Sequence, residues 1–152
     1  MKEPCEFDFD MIITGPQPYI IKKYIPGIDP YVSILDTAEG IWQLYLLNIA
    51  TDYMPLGWHS NYRSKIRIFT QHALQTICRM TEVDFGEYLN HDPRPRVIWK
   101  DEGVATVECW YFNDWSGLCK EYITFTKSPE GYYIQTDRKV DVLVKYDCGI
   151  LF

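Results

Sequence analysis

At 152 residues the chain fits one domain, 1–152, and a domain of that size buries roughly 70% of its unfolded surface. Hydrophobic residues make up 47% of it, which excludes a disordered chain. Acidic residues outnumber basic ones 21 to 15, for a formal net charge of −6, so direct nucleic-acid binding, which needs clustered Lys and Arg, is disfavoured while a basic protein partner suits the charge.

The first segment, Glu6 to Ile13, alternates strictly. Phe7, Phe9, Met11 and Ile13 fall on one face and Glu6, Asp8, Asp10 and Ile12 on the other, which predicts a strand with an acidic outer face. Gly15-Pro16-Gln17-Pro18 ends it, and the prolines and glycine through Pro30 mark a connector lying over the core. Asp36, followed three residues later by Glu39, resembles a capping box and predicts a helix from Thr37 to about Tyr53. Its apolar residues Ile41, Trp42, Leu44, Tyr45, Leu46, Leu47 and Ile49 nearly encircle it, so burial on most sides is expected. Met54-Pro55-Leu56-Gly57 stops it. Tyr62, Ile66, Phe69, Ala73, Ile77 and Met80 recur at spacings of three and four, predicting a second helix from about Asn61 to Met80. Asp84 to Leu89 adds a further turn, and His91 to Pro95 forms a stiff linker.

From Val97 to Tyr146 the pattern becomes an antiparallel meander. Ala105, Val107, Cys109 and Tyr111 alternate with Val104, Thr106, Glu108, Trp110 and Phe112, and Leu118 to Thr126 resumes after the turn Asn113 to Gly117. Ser128 to Gly131 turns again, ahead of two short strands, Tyr132 to Thr136 and Val140 to Tyr146. Helices gathered before a run of strands predict an α+β domain, with the helices packed on one face of a curved sheet. The buried set should include Trp42, Leu46, Phe69, Ile77, Val107, Tyr111, Ile123 and Phe125.

The start, Met1-Lys2-Glu3-Pro4, carries no apolar signal-peptide segment. The most apolar run, Ile41 to Ala50, is far short of the roughly 20 residues that span a membrane. A soluble, cytoplasmic protein without membrane contact is expected. Five cysteines, Cys5, Cys78, Cys109, Cys119 and Cys148, include no C-x-x-C pair and are expected as reduced thiols. Cys109 and Cys119 meet across their hairpin in one register only.

The closing pattern Val104-Ala105-Thr106-Val107-Glu108-Cys109-Trp110-Tyr111-Phe112, Tyr122-Ile123-Thr124-Phe125 and Glu130-Gly131-Tyr132-Tyr133-Ile134 is similar to the last strands of the NTF2-like, cone-shaped α+β superfamily. The resemblance covers about the last two-thirds of the chain and implies helices packed on a curved meander. The strand at Glu6 to Ile13 departs from it, since that superfamily usually begins with a helix. In size, charge and architecture the chain also resembles immunity proteins of bacterial polymorphic and contact-dependent toxin systems, which implies a protein that occludes the active or substrate-binding site of a cognate toxin.

Chemistry is thinly marked. His59, His72 and His91 share no ligand spacing, so no metal site is expected. His91-Asp92 suggests an oriented imidazole, weighed against a structural histidine in a linker. No nucleophile elbow or glycine-rich phosphate loop occurs, and Lys100-Asp101-Glu102-Gly103 reads as a hairpin turn. No catalytic residue and no cofactor is expected. The partner-binding candidates are the acidic strip Glu6, Asp8 and Asp10, together with Asp114, Trp115 and Trp58. Acidic side chains steer a cationic partner, and a loop Trp supplies a desolvated anchor. A homodimer is compatible with the same features. The other function class is an NTF2-like small-molecule binder or enzyme, of isomerase or dehydratase type, with an aromatic-lined pocket. A large interior pocket holding a buried acid would favour it, whereas a filled interior with an exposed acidic and aromatic patch favours the protein binder.

Overall fold

The run from Val104 to Phe112 forms the centre of the sheet. In the computed structural model, which describes residues 32–53 and 65–146, two α-helices accompany a five-stranded antiparallel sheet. The helices are α1 (Ala38–Tyr53) and α2 (Gln71–Thr81), and the strands are β1 (Ile66–Ile68), β2 (Arg96–Asp101), β3 (Val104–Asn113), β4 (Gly117–Lys127) and β5 (Tyr133–Val144). One edge of β3 pairs with β2 along Val104 to Glu108 and with β1 along Trp110 to Phe112, and its other edge pairs with β4, which pairs with β5. The class is α+β.

Turn chemistry places the strands. The Asn113 side-chain oxygen accepts from the backbone N–H groups of Trp115 and Ser116, at 2.8 and 3.1 Å, closing the β3–β4 turn. Gly117 then starts β4 at φ 86°, where a Cβ would run into the Val144 carbonyl, so only glycine fits. The predicted break between two late strands is absent: β5 runs unbroken through Asp137, Arg138 and Lys139, which pair with Thr124, Ile123 and Tyr122. A bulge replaces the break. Phe125 faces Gln135 while Thr124 faces Asp137, so Thr136 is the extra residue. One inserted residue reverses the side chains that follow, up to a second bulge at Leu143, and Arg138 thereby falls on the same face as Ile123 and Glu121.

The two helices lie on opposite faces of the sheet, rather than together on one. Ile41, Leu44 and Tyr45 of α1 pack with Ala105, Val107, Cys109, Ile123, Phe125 and Tyr133. Leu74 and Ile77 of α2 pack with Ile68, Phe85, Trp110, Phe112 and Leu118. Cys109 and Trp110 are consecutive on β3, so these two cores sit on opposite sides. A sheet with apolar residues in both phases needs a cover on each.

Several local expectations are corrected. The stretch from Asn61 to Met80 is not one helix: Ile66–Ile68 is strand, and α2 starts after Thr70, whose hydroxyl accepts from Ala73 N–H at 3.1 Å. The cap of α1 is Thr37, whose hydroxyl accepts from Gly40 N–H at 3.1 Å, while the Asp36 carboxylate pairs with Lys127. Leu46 and Leu47 are each 39% exposed, so α1 buries one stripe and shows the other side to solvent. Of the expected core residues, Ile77, Val107, Tyr111, Ile123 and Phe125 are buried, Trp42 is half-buried, and Phe69 and Leu46 are exposed. The extra turn is a short 3-10 helix, Gly86–Asn90. Among the described residues no helix is long and apolar enough to cross a membrane.

Candidate functional site

β4 continues the inward phase of the sheet as Cys119, Glu121, Ile123 and Phe125, and so carries a carboxylate into an apolar face. Glu121 is fully buried and sits opposite Cys109 on β3 and Val140 on β5. A buried carboxylate is tolerated only when it is paired and hydrogen-bonded. Here Tyr45 of α1 donates its hydroxyl to Oε1 at 3.0 Å, and Lys65 Nζ reaches Oε2 at 2.8 Å. Arg67 of β1 donates to Oε1, and Arg138 of β5 reaches Oε2 at 3.3 Å. Four donors, from α1, from β1 and the residue before it, and from β5, therefore converge on one side chain.

Aromatic rings hold the cations. The Arg67 guanidinium lies 5.5 Å from the ring centroids of both Tyr45 and Tyr111, and the Lys65 ammonium lies 4.3 Å from that of Tyr111. Burial raises the hydroxyl of Tyr45, and burial with a nearby Cys119 pushes Tyr111 up to about 12. The thiols of Cys109 and Cys119 are likewise raised, chiefly by burial. Both are free, and the register sets Cys109 against Glu121 and Cys119 against Tyr111.

The tyrosine shift has a consequence for stability. A tyrosine released by unfolding titrates near 10. Between about pH 10 and 12 the folded chain holds the Tyr111 proton and the unfolded chain loses it, so this stabilisation is complete below pH 10 and is lost as pH rises through that window. The urea midpoint should therefore fall less steeply from pH 10 to 12 in Tyr111→Phe than in the parent. Identical slopes would show that Tyr111 titrates as freely in the fold as outside it.

Beside Glu121 the sheet and α1 leave a cavity of about 260 Å³. Lys65, Arg67 and Arg138 form its polar wall, and Ile49, Ile123 and Phe125 its apolar one. No family model, curated protein or solved structure matches this chain. Function must then be argued from the sites themselves.

A second site lies at the end of the sheet where the β2–β3 and β4–β5 turns meet. Its cleft, of about 810 Å³, is lined by Asp36, Trp99, Asp101, Glu102, Lys127 and Tyr133 among others. Asp101, the last residue of β2, and Glu102, on the turn, are both exposed, and Asp36 reaches the same cleft from the start of α1. Trp99 is 40% exposed and meets Tyr133 edge-on at 6.4 Å. Lys127 pairs with Asp36 and stands 5.8 Å from the Tyr133 ring centroid. That pair holds the Asp36 carboxyl below its ordinary value. Within the cleft Lys127 is thus held by a carboxylate and an aromatic face.

Of the residues expected to bind a partner, the two that are described lie away from this cleft. Asp114 and Trp115 are half-buried in the β3–β4 turn, at the opposite end of β3, about 30 Å away at some 3.3 Å per residue. Glu6, Asp8, Asp10 and Trp58 lie outside the described residues. His91 is not oriented by Asp92: its Nδ1 lies 3.1 Å from the Glu87 carbonyl, and Asp92 is engaged by Arg94 at 2.7 to 3.0 Å, which lowers it to about 2. Among the described residues no group of three His, Cys, Asp or Glu could hold a metal ion.

Proposed function

We propose that the chain is a protein-binding protein whose acidic, aromatic cleft receives basic side chains of a partner. The observation that carries this reading is the seating of Lys127 between Asp36 and Tyr133, in a cleft that also presents Asp101, Glu102 and the half-exposed Trp99. Three carboxylates around one lysine leave negative charge for a second cation, and an aromatic wall adds packing that charge alone lacks. The concrete form of the proposal is an immunity protein that occludes a basic toxin surface in the cytoplasm, with Glu6, Asp8, Asp10, Asp114, Trp115 and Trp58 as further contacts. Occlusion needs neither turnover nor a cofactor.

Surface plasmon resonance against the protein encoded beside this chain tests the proposal. Asp101→Lys with Glu102→Lys should slow association about tenfold at low salt and flatten its salt dependence, because exposed charges act on encounter. Trp99→Ala should instead speed dissociation, because anchors act through desolvated packing. Unchanged kinetics in all these variants would remove the cleft from the interface.

One observation favours a second reading, a small-molecule binder with an NTF2-like layout. The cavity beside Glu121 lies between α1 and the meander, is open to a ligand of modest size, and combines apolar and charged walls.

A further inference from the structure

β5 pairs with β4 along one edge, and among the described residues no strand pairs with its other edge. Residues 134–140 are exposed without a break, so side chains on both faces of this strand meet solvent. Val140 and Val142 are 39% and 47% exposed. An edge strand offers a row of backbone donors and acceptors on which another strand can form. Charge decides which strand fits. Asp137, Arg138, Lys139 and Asp141 carry two charges of each sign, so this edge is neutral in a chain whose net charge is −6. A second copy can therefore approach here without the repulsion it meets elsewhere.

The order of these charges is self-complementary. Two copies of one strand pair antiparallel about a two-fold axis normal to the sheet, and facing side chains share a face, so the axis passes through a residue. Between the bulges at Thr136 and Leu143 lie residues 137–142. An axis at Asp137, Arg138, Lys139 or Asp141 would set a charge against its own copy, and one at Val142 would fall beside the Leu143 bulge. The axis at Val140 avoids both faults. Val140 then meets its own copy, Arg138 meets Val142, and Lys139 meets Asp141 at two symmetric places. Val140 and Val142 lie on the face of Glu121 and Cys119, so their exposed apolar surface comes together there. Lys139 now bridges Asp141 of its own strand at 3.0 Å, with side chains 66% and 39% exposed, and that contact can be exchanged for the facing one. We propose that β5 pairs antiparallel with β5 of a second copy about Val140, joining two five-stranded sheets into one continuous sheet.

Sedimentation velocity of the full chain over a concentration series tests it. The parent should pass from monomer to dimer and no further, because a two-fold contact closes on itself. Lys139→Asp and Asp141→Lys should each weaken dimerisation about tenfold, since symmetry turns two opposite-charge pairs into two like-charge ones. The two substitutions combined should restore it, a recovery that a merely structural effect would not give. Urea midpoints near that of the parent show that each variant is folded. Under mild oxidation Val140→Cys should form a disulfide-linked dimer beyond the parent's level, because facing Cα atoms lie about 4.5–5.5 Å apart, and Asp137→Cys should not. A parent that stays monomeric would overturn the inference and leave the edge to a strand of another protein. A dimer that both single reversals leave intact would overturn it by placing the contact elsewhere, as would a dimer that the combined variant fails to restore. Cross-linking through Asp137→Cys in place of Val140→Cys would overturn the register.

Discussion

Glu121→Gln should cost the chain roughly 3–5 kcal/mol of stability, the range found when one partner of a buried ion pair is removed. The amide keeps the shape of the side chain and loses its charge. Arg67 and Lys65, with side chains only 14% and 18% exposed, would then stand as buried cations without their carboxylate. Tyr45 would keep an acceptor, since the amide oxygen can take its hydroxyl. The loss should therefore come from the cations. Arg138→Gln provides the contrast: its guanidinium is 45% exposed and water can replace the contact, so a loss of at most about 1 kcal/mol is expected. Urea unfolding followed by tryptophan fluorescence measures both. A smaller loss for Glu121→Gln than for Arg138→Gln would mean that the four donors do not depend on the carboxylate.

The position of Glu121 was readable in principle. Its neighbours in the inward phase are Cys119, Ile123 and Phe125, so an acidic residue stood among residues bound for the core. A buried acid demands cations, and those were concealed. Lys65 and Arg67 lie in a stretch whose apolar residues Tyr62, Ile66, Phe69 and Ala73 satisfy a helical period, while Lys65-Ile66-Arg67-Ile68 satisfies a strand period equally well. Pairing with Trp110, Tyr111 and Phe112 decides for the strand, and pairing is non-local. Arg138 was hidden for a similar reason, because its face depends on the bulge at Thr136. The meander was plain, since β3 and β4 carry long period-two runs bounded by Asn113, Gly117, Ser128 and Gly131. That both phases of β3 are apolar was equally visible, and it already implied a cover on each face. The acidic cleft was half legible: the turn holds Glu102 and Gly103 while Lys100 and Asp101 still belong to β2, and only packing brings Asp36 and Tyr133 beside them.

Phe125→Ala should destabilise the fold by roughly 3–5 kcal/mol, as for other large buried aromatics. Phe125 is fully buried, pairs with Ala105 on β3 and Gln135 on β5, and packs with Ile41, Leu44 and Tyr45 of α1. Its small neighbour Ala105 cannot fill the space, and the backbone of the central sheet cannot close over it. Truncation would also join the new void to the cavity beside Glu121, which Phe125 already lines. Apolar packing against α1 would go first, so amides of α1 should exchange faster than those of α2, which is held by the other core. Leu46→Ala separates this from a general sensitivity of the helix. Leu46 is on the same helix and was expected in the core, yet it is 39% exposed, and Ala is the better helix former, so a loss below about 1 kcal/mol is expected. Urea midpoints with hydrogen exchange on both variants test the pair. Equal losses would contradict a core confined to one stripe of α1, and uniform exchange in Phe125→Ala would contradict two separate cores on the two faces of one sheet.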